Sequence, residues 1–427
     1  MTEQTDSGTA SIPAAAESIG ARGATGVGIA SLVAAASGIV VLIIAAHTLT
    51  KAQNAEFLSF WGLIFFLFGI FGGLQNEATR TVHVALHRPS SPGRARGPRV
   101  VPAGLALGAG VAAVLLATAR LWGPGTLGTR WGPLTAVVVV GVVAFAGHSA
   151  VAGALAGSGR WSTYSRLIGA EATVRLLLVA AVAVAGARTV GLEAASAGAA
   201  GTWLILAVVL RPLRQSFALR ADDTRRLFAS RTAQAMLATA ASSAFVVGFP
   251  VLLRLTTPTD AFAAAAPLIL AVQLTRAPLL MPLVAYQGVA ITYFLAHRDE
   301  GVRALLRLAT VILAVGLGGG GLAALLGPWL LSVFGGPGYD AAPLTLATLT
   351  FAASLLALLT LTGIAVLSVG SHRAYALGWL AATTVGIGIL LLPATIDVRA
   401  AASLMIGPVV GVAIHVAAIS RANRRGR

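Results

Sequence analysis

Apolar runs of about 20 residues recur along the whole chain, and each is long enough to cross a hydrocarbon core of roughly 30 Å as a helix. Few architectures can absorb so many of them. Of 427 residues, 57% are hydrophobic and only 10% charged, whereas about a quarter of a soluble domain is charged. The runs are continuously apolar and rich in alanine, leucine and glycine, without the period-two alternation of a membrane β-barrel. The sequence therefore predicts an all-α polytopic membrane protein. Spans fall at about 25–47, 54–78, 100–119, 132–155, 166–187, 194–210, 232–256, 260–296, 304–326, 341–368, 374–394 and 400–419, twelve in all.

The formal net charge of +16 would suggest nucleic acid as a partner of a soluble chain. Here it is first a statement about topology. With the N-terminus inside, 22 of the 30 basic residues lie on the cytoplasmic side and six (Lys51, Arg120, Arg130, Arg188, Arg254, Arg399) on the other. The excess of Lys and Arg in cytoplasmic loops fixes orientation, so both termini are expected in the cytoplasm. Loop positioning beside an anionic leaflet accounts for most of the charge, and no nucleic acid partner is expected. Residues 1–24, with Glu3, Asp6 and Glu17 against Arg22, lack the basic start of a signal peptide and read as a disordered cytoplasmic tail. The arginine, alanine and glycine excess points to a GC-rich bacterial genome, hence to a multi-pass protein of the cytoplasmic (inner) membrane.

Six spans lie on either side of a polar stretch from Arg211 to Arg231. A shift of 210 residues sets Gly72–Arg88 on Pro282–Arg298, and both segments end in His-Arg. This register suggests a duplication. Two halves with an even number of spans share orientation, related by an axis along the membrane normal. The expected organisation is a tail (1–24), a six-helix bundle (25–210), a basic linker (211–231), a second bundle (232–419) and a basic tail (420–427), with a central cavity between the bundles. Span 8, at about 37 residues or roughly 55 Å, contains Pro267, Pro278 and Pro282. A kinked, tilted helix is expected there.

Several chemistries are disfavoured by the residues themselves. There is no cysteine. The single lysine, Lys51, follows Thr50, whereas a P-loop needs glycine before it. No HExxH occurs, and the seven histidines show no metal-ligand spacing. The outer loops are short, with Asp260, Asp340 and Asp397 scattered singly, which argues against an enzyme; no ATP, metal or other cofactor is expected.

Two stretches carry a family resemblance: the polar end of span 2, Leu74–Arg80 (LQNEATR), and the segment Gly327–Pro343 (GPWLLSVFGGPGYDAAP), with Phe334-Gly335, Tyr339, Ala341 and Ala342. With twelve spans in two halves, the chain resembles the bacterial O-antigen-type polysaccharide flippases of the multidrug/oligosaccharidyl-lipid/polysaccharide exporter superfamily. The resemblance implies a secondary transporter moving an undecaprenyl-pyrophosphate-linked oligosaccharide or polysaccharide precursor by alternating access, coupled to H+ or Na+. Its partners would be the bilayer, the lipid-linked glycan, and the glycosyltransferases and polymerase of the same pathway. A cation-coupled multidrug exporter of the same superfamily and a non-transporting scaffold of a glycan synthesis complex stay open as alternatives.

Ionisable groups inside a bilayer cost several kcal/mol, so they face a cavity or pair with each other. Arg276, near mid-depth in span 8, is a candidate pyrophosphate site, or else a packing arginine bonded to carbonyls freed by Pro278. Glu171 and Arg175 stand at i and i+4 on span 5 and can pair, as a proton-sensitive switch or as a self-contained ion pair. Glu77 and Arg80, with Gln75 and Asn76, form a polar belt at the inner end of span 2. Their counterparts in the repeat are Tyr286 and Gln287, and together they are a candidate gate or headgroup entrance. Arg276, Arg175 and Arg80 are thus the headgroup candidates; Glu171, Glu77, Gln75, Asn76, Tyr286 and Gln287 are the coupling or gate candidates. His148 reads as hydrogen-bonded packing in span 4. Phe57, Phe60, Trp61, Phe65, Phe66, Phe68 and Phe71 of span 2 spread around the helix and suggest a lipid-facing surface.

Overall fold

The computed structural model describes residues 21–87, 97–186, 189–285, 294, 302–368 and 371–425. Its helices are α1 (Ala21–Thr48), α2 (Lys51–Ile70), α3 (Gly72–His87), α4 (Val100–Ala117), α5 (Ala119–Leu127), α6 (Trp131–Gly157), α7 (Trp161–Val184), α8 (Thr189–Gly198), α9 (Thr202–Val209) and α10 (Arg211–Ser216). The second half continues with α11 (Arg225–Val246), α12 (Phe249–Leu255), α13 (Thr259–Ala263), α14 (Ala266–Ala285), α15 (Val302–Gly335), α16 (Pro343–Ser368), α17 (His372–Leu390) and α18 (Ile396–Arg425). Among the described residues, ten helical stretches are long and apolar enough to span a membrane, and α11 with α12, bent by 70°, makes an eleventh if the pair is one span. The chain is a multi-pass membrane protein, and α14 takes the place of the eighth span.

Two bundles repeat the same packing. In the first, α6 packs on α4, α3 and α8, and α7 on α1 and α8; in the second, α16 packs on α15, α14 and α18, and α17 on α11 and α18. Each contact of one bundle thus has its counterpart six spans later. The linker is shorter than the sequence suggests, because α11 already begins at Arg225. Thr224 caps that helix, its side chain accepting from the Leu227 amide at 3.4 Å, and so fixes its start.

Breaks fall where backbone chemistry demands them. Span 8 is preceded by the separate turn α13, so Pro267 sits at the start of α14, where a missing N–H is harmless. The sharp break lies in span 7 instead. Pro250 has no N–H to give the Val246 carbonyl four residues earlier, and its ring would clash there; α11 ends at Val246 and α12 leaves at 70°. In the first half the stretch Lys51–His87 runs for 37 residues, longer than the span expected at 54–78.

Span 2 corrects an expectation. Phe57, Phe60, Trp61, Phe68 and Phe71 are buried, none more than 7% exposed, so this surface faces protein and not lipid. The reason is central placement: α2 and α3 pack on α11, and α2 also on α12, α13 and α14. Glycines bring these helices together, with a Cβ at Gly62 only 3.2 Å from Pro250 and Gly69 and Gly73 set against Ser243 and Ala235–Met236.

We call the face carrying the chain ends the terminal face. In the half next to the opposite face, one hydrophobic cluster unites the bundles: Val41, Ala45, Phe57 and Trp61 join Phe249, Phe262, Ile269, Leu331 and Leu356. Toward the terminal face the core divides among the described residues. One cluster belongs to the first bundle and includes Phe228 and Met236 of α11, while a separate one, with Leu305, Leu361, Val366 and Ile419, belongs to the second. Among the described residues the bundles therefore share a core at the opposite face and none toward the terminal face beyond the contribution of α11 to the first.

The turn after α15 shows why Phe334-Gly335 and Tyr339 occur together. Gly336 and Gly338 adopt φ of 84° and 76°, open to glycine at little cost, and they fold Tyr339 back beneath Gly335. A Cβ at Gly335 would overlap the Cβ and ring of Tyr339. Gly335→Ala is expected to lower stability by about 1–3 kcal/mol through overpacking. Gly110→Ala, with nothing within 4 Å, should be neutral or slightly stabilising. Thermal unfolding of the two variants in detergent is the measurement; equal midpoints would contradict this account.

Candidate transport cleft

The terminal half of span 2 carries the polar belt. Glu77 is buried, and its carboxylate is gripped by Arg80 at 2.6 Å, an i,i+3 pair; the Arg80 side chain stays 40% exposed. Arg80 also reaches Asp222 of the linker at 3.3 Å. Asp222 is bonded to Thr81 as well, its amide donating to Thr81 Oγ1 at 3.0 Å and its carboxylate accepting from that hydroxyl. Burial pushes the Asp222 carboxyl up, but the Thr81 and Arg80 hydrogen bonds and the Arg80 charge outweigh it and hold it below the usual carboxylate value. Gln75 Nε2 donates to the Tyr164 hydroxyl at 3.3 Å. Asn76 is exposed although it lies about 11 residues, or roughly 16 Å, along the helix from His87. A polar group left open at that depth belongs beside a wet cleft, not beside lipid. Tyr286 and Gln287 lie outside the described residues.

Arg276 on α14 is buried, at 5% exposure. Its Nη1 donates to the Val246 carbonyl at 2.7 Å, the carbonyl that Pro250 leaves without a helical partner. The carbonyl is thus freed by Pro250 in span 7, not by Pro278 in its own span. The guanidinium also lies 5.3 Å from the Phe249 ring centre, a favourable cation–π distance. Its Nη2 has no hydrogen-bond partner among the described residues.

Glu171 and Arg175 pair at 3.2 Å, both buried. The Arg175 guanidinium lies 4.9 Å from the Phe65 ring and 5.9 Å from Trp61, so span 2 aromatics cover an ion pair on span 5. His148 lies buried beside this group, stacked on Phe145 at 5.1 Å. Its Nδ1 has no partner among the described residues, so stacking and not hydrogen bonding holds that side of the ring.

At the opposite face, polar contacts close the bundles together. Asn54 Nδ2 donates to the Tyr339 hydroxyl at 2.7 Å, joining span 2 to the turn between α15 and α16. Arg254 Nε donates to the Gly125 carbonyl at 3.2 Å and stacks 5.0 Å from Phe262. Glu56 pairs with Arg130, and Glu193, 1% exposed, lies within electrostatic reach of both. Sequence reasoning did not single out this group. Its signal was Glu193 at the start of span 6 and Glu56 one turn into span 2, each a carboxylate at the edge of an apolar run. No group of three or more His, Asp or Glu able to hold a metal occurs among the described residues.

No protein-family model matches the sequence. Solved structures share the architecture. An inward-facing MATE multidrug transporter of the MOP superfamily aligns with a TM-score of 0.66 over 94% of this chain and 96% of its own, at 14% identity. An outward-facing one gives 0.62 over the same shares at 13% identity, and a MOP superfamily transporter from Pyrococcus furiosus 0.63, also at 13%. The fold is therefore that of the MOP superfamily transporters. In sequence, the chain is 37% identical over 419 residues to the uncharacterized protein Rv3630 of Mycobacterium tuberculosis, covering 95% of this chain and 96% of that one. It is also 39% identical over 397 residues to Rv1510 of the same organism, covering 92% and 91%. It belongs to one family with these mycobacterial proteins.

The coupling of Arg276 to the break in span 7 can be tested by a double-mutant cycle. Arg276→Met should cost about 1–3 kcal/mol by orphaning a buried carbonyl. In a Pro250→Ala background, which returns the N–H that a continuous helix would give the Val246 carbonyl, the same change should cost clearly less. Thermal unfolding of the four proteins reads the coupling, and equal losses in both backgrounds would refute it.

Proposed function

We propose that this protein is a secondary transporter that flips an undecaprenyl-pyrophosphate-linked glycan across the bacterial cytoplasmic membrane by alternating access. The observation that carries the reading is the unequal joining of the bundles among the described residues: one common core at the opposite face, separate cores toward the terminal face. Such packing is what a protein open on one side needs, since a rocking motion can exchange which half is joined. The excess of basic residues on that side supports a cytoplasmic terminal face, where a lipid-linked precursor would enter.

In this scheme Arg80, partly exposed on the polar stripe with Asn76 and Gln75, makes the first contact with the pyrophosphate, and Glu77 holds its guanidinium in place. A planar, permanently charged fork suits phosphate oxygens. Tyr286 and Gln287 complete the gate from span 8. Arg276 and Arg175 are buried, so they engage substrate only after the bundles move, Arg276 by exchanging the Val246 carbonyl for an anion. Glu171, beside Arg175, is the group through which H+ or Na+ would couple.

Deleting the gene should leave lipid-linked oligosaccharide on the inner leaflet, and Arg80→Gln should reduce export several-fold more than Arg80→Lys. Sensitivity to cationic dyes without glycan accumulation would overturn the substrate assignment. The movement is open to a separate experiment, because the chain has no cysteine of its own. Asn54→Cys with Tyr339→Cys, joined by a short bis-methanethiosulfonate that forms a disulfide to each thiol with release of sulfinate, should halt transport, and reductant should restore it. Full transport by the crosslinked protein would rule out separation of the bundles at the opposite face.

A further inference from the structure

A cavity of about 720 Å³ opens at the terminal face between the start of α4, the linker and the start of α11. Arg99, Arg220 and Arg225 line it together with Pro102, Ala103 and Phe228, and among the described residues no carboxylate does. The two acids of the linker are turned to other partners: Asp222 to Thr81 and Arg80, Asp223 to Arg231.

The walls are built, not incidental. Ala221 N donates to the Pro98 carbonyl at 2.9 Å and Val100 N to the Leu219 carbonyl at 3.0 Å, a short antiparallel pairing of Arg99 with Arg220. Arg220 Nη1 adds a bond to the Gly97 carbonyl at 2.9 Å. Gly97 lies so close to the carbonyls of Ala221 and Asp223 that a Cβ would not fit. This clasp sets Arg99 and Arg220 at one level. Arg225 opens α11 at the same level, and α4 begins there with no side chain capping its first turn. The partial positive charge of that turn adds to three guanidinium groups.

Arg99 and Arg225 stand at or beside the first residues of two membrane spans, which is headgroup depth. Below them the lining turns apolar, along Pro102 and Ala103 on α4 and Phe228 on α11. The geometry points to a binding site for an anionic phospholipid of the cytoplasmic leaflet, its phosphate among the three arginines and the upper part of an acyl chain against α4 and Phe228. A free anion would satisfy the arginines but leave the apolar wall bare. A zwitterionic lipid would bring its own cation into an all-basic site. The bound lipid would bridge the first bundle to the span that leads into the second. The inference stands apart from the transported substrate, since it concerns a site outside the polar stripe of span 2.

The test uses the full chain purified in a neutral detergent and titrated with dioleoylphosphatidylglycerol or dioleoylphosphatidylcholine, with bound lipid counted by native mass spectrometry. The wild type should bind the former at least fivefold more tightly. Arg99→Gln with Arg225→Gln should abolish that preference. Arg211→Gln with Arg226→Gln, which removes equal charge from the same face outside the cavity, should leave it intact. Ala103→Trp, filling the apolar wall with the charges unchanged, should also weaken phosphatidylglycerol several-fold. Equal losses in both charge pairs would mean diffuse attraction and overturn the site. So would inorganic pyrophosphate displacing the lipid completely while Ala103→Trp had no effect.

Discussion

Inside a bilayer every backbone carbonyl must find a donor within the protein, and the Val246 carbonyl meets that demand through the side chain of another span. Pro250 removes the donor the helix would have supplied, and Arg276, about 30 residues on and in another span, replaces it at 2.7 Å. The bent span 7, the burial of an arginine and the packing of Phe249 over its guanidinium all follow from that exchange. Beyond the bend, α12 packs on α2 and α5 of the first bundle and sets Phe249 and Leu253 in the core common to both, with Phe262 and Ile269.

Much of the architecture was legible because hydropathy is a strong signal for long spans. The order of twelve apolar runs, the doubling into two bundles and the i,i+4 pairing of Glu171 with Arg175 all came from spacing alone. What misled was environment. The aromatics of span 2 spread around their helix, as lipid-facing residues do, but a helix at the centre of two bundles is also covered on every side. Composition cannot distinguish a helix bathed in lipid from one enclosed by other apolar helices, since both surroundings are hydrocarbon.

The break in span 7 was missed for a related reason. Prolines at 267, 278 and 282 drew attention to span 8, whereas Pro250 has consequences because a second element supplies what it takes away. A proline shows that a hydrogen bond is absent and says nothing of who compensates. The opposite-face contacts of Asn54, Tyr339, Arg254 and Glu56 were equally silent, being pairings between residues far apart in the chain. Only the glycine-rich turn before Tyr339 left a trace, as the Phe-Gly and tyrosine spacing whose steric basis is the contact between Gly335 and the Tyr339 ring.

The covalent division of the chain and its mechanical division do not coincide. The linker after α10 joins the two repeats in sequence, yet Phe228 and Met236 of α11 share the core of the first bundle, while Phe249 and Leu253 lie in the common core. Phe245, before the bend, lies in the common core as well, and Val251, after it, in the core of the first bundle, so the two cores interleave along span 7. The span belongs to the second repeat in sequence, yet both of its helices pack on α2 of the first. The duplicated halves are thus unequal partners: by lending a span to its neighbour, the second repeat supplies the seam that holds both.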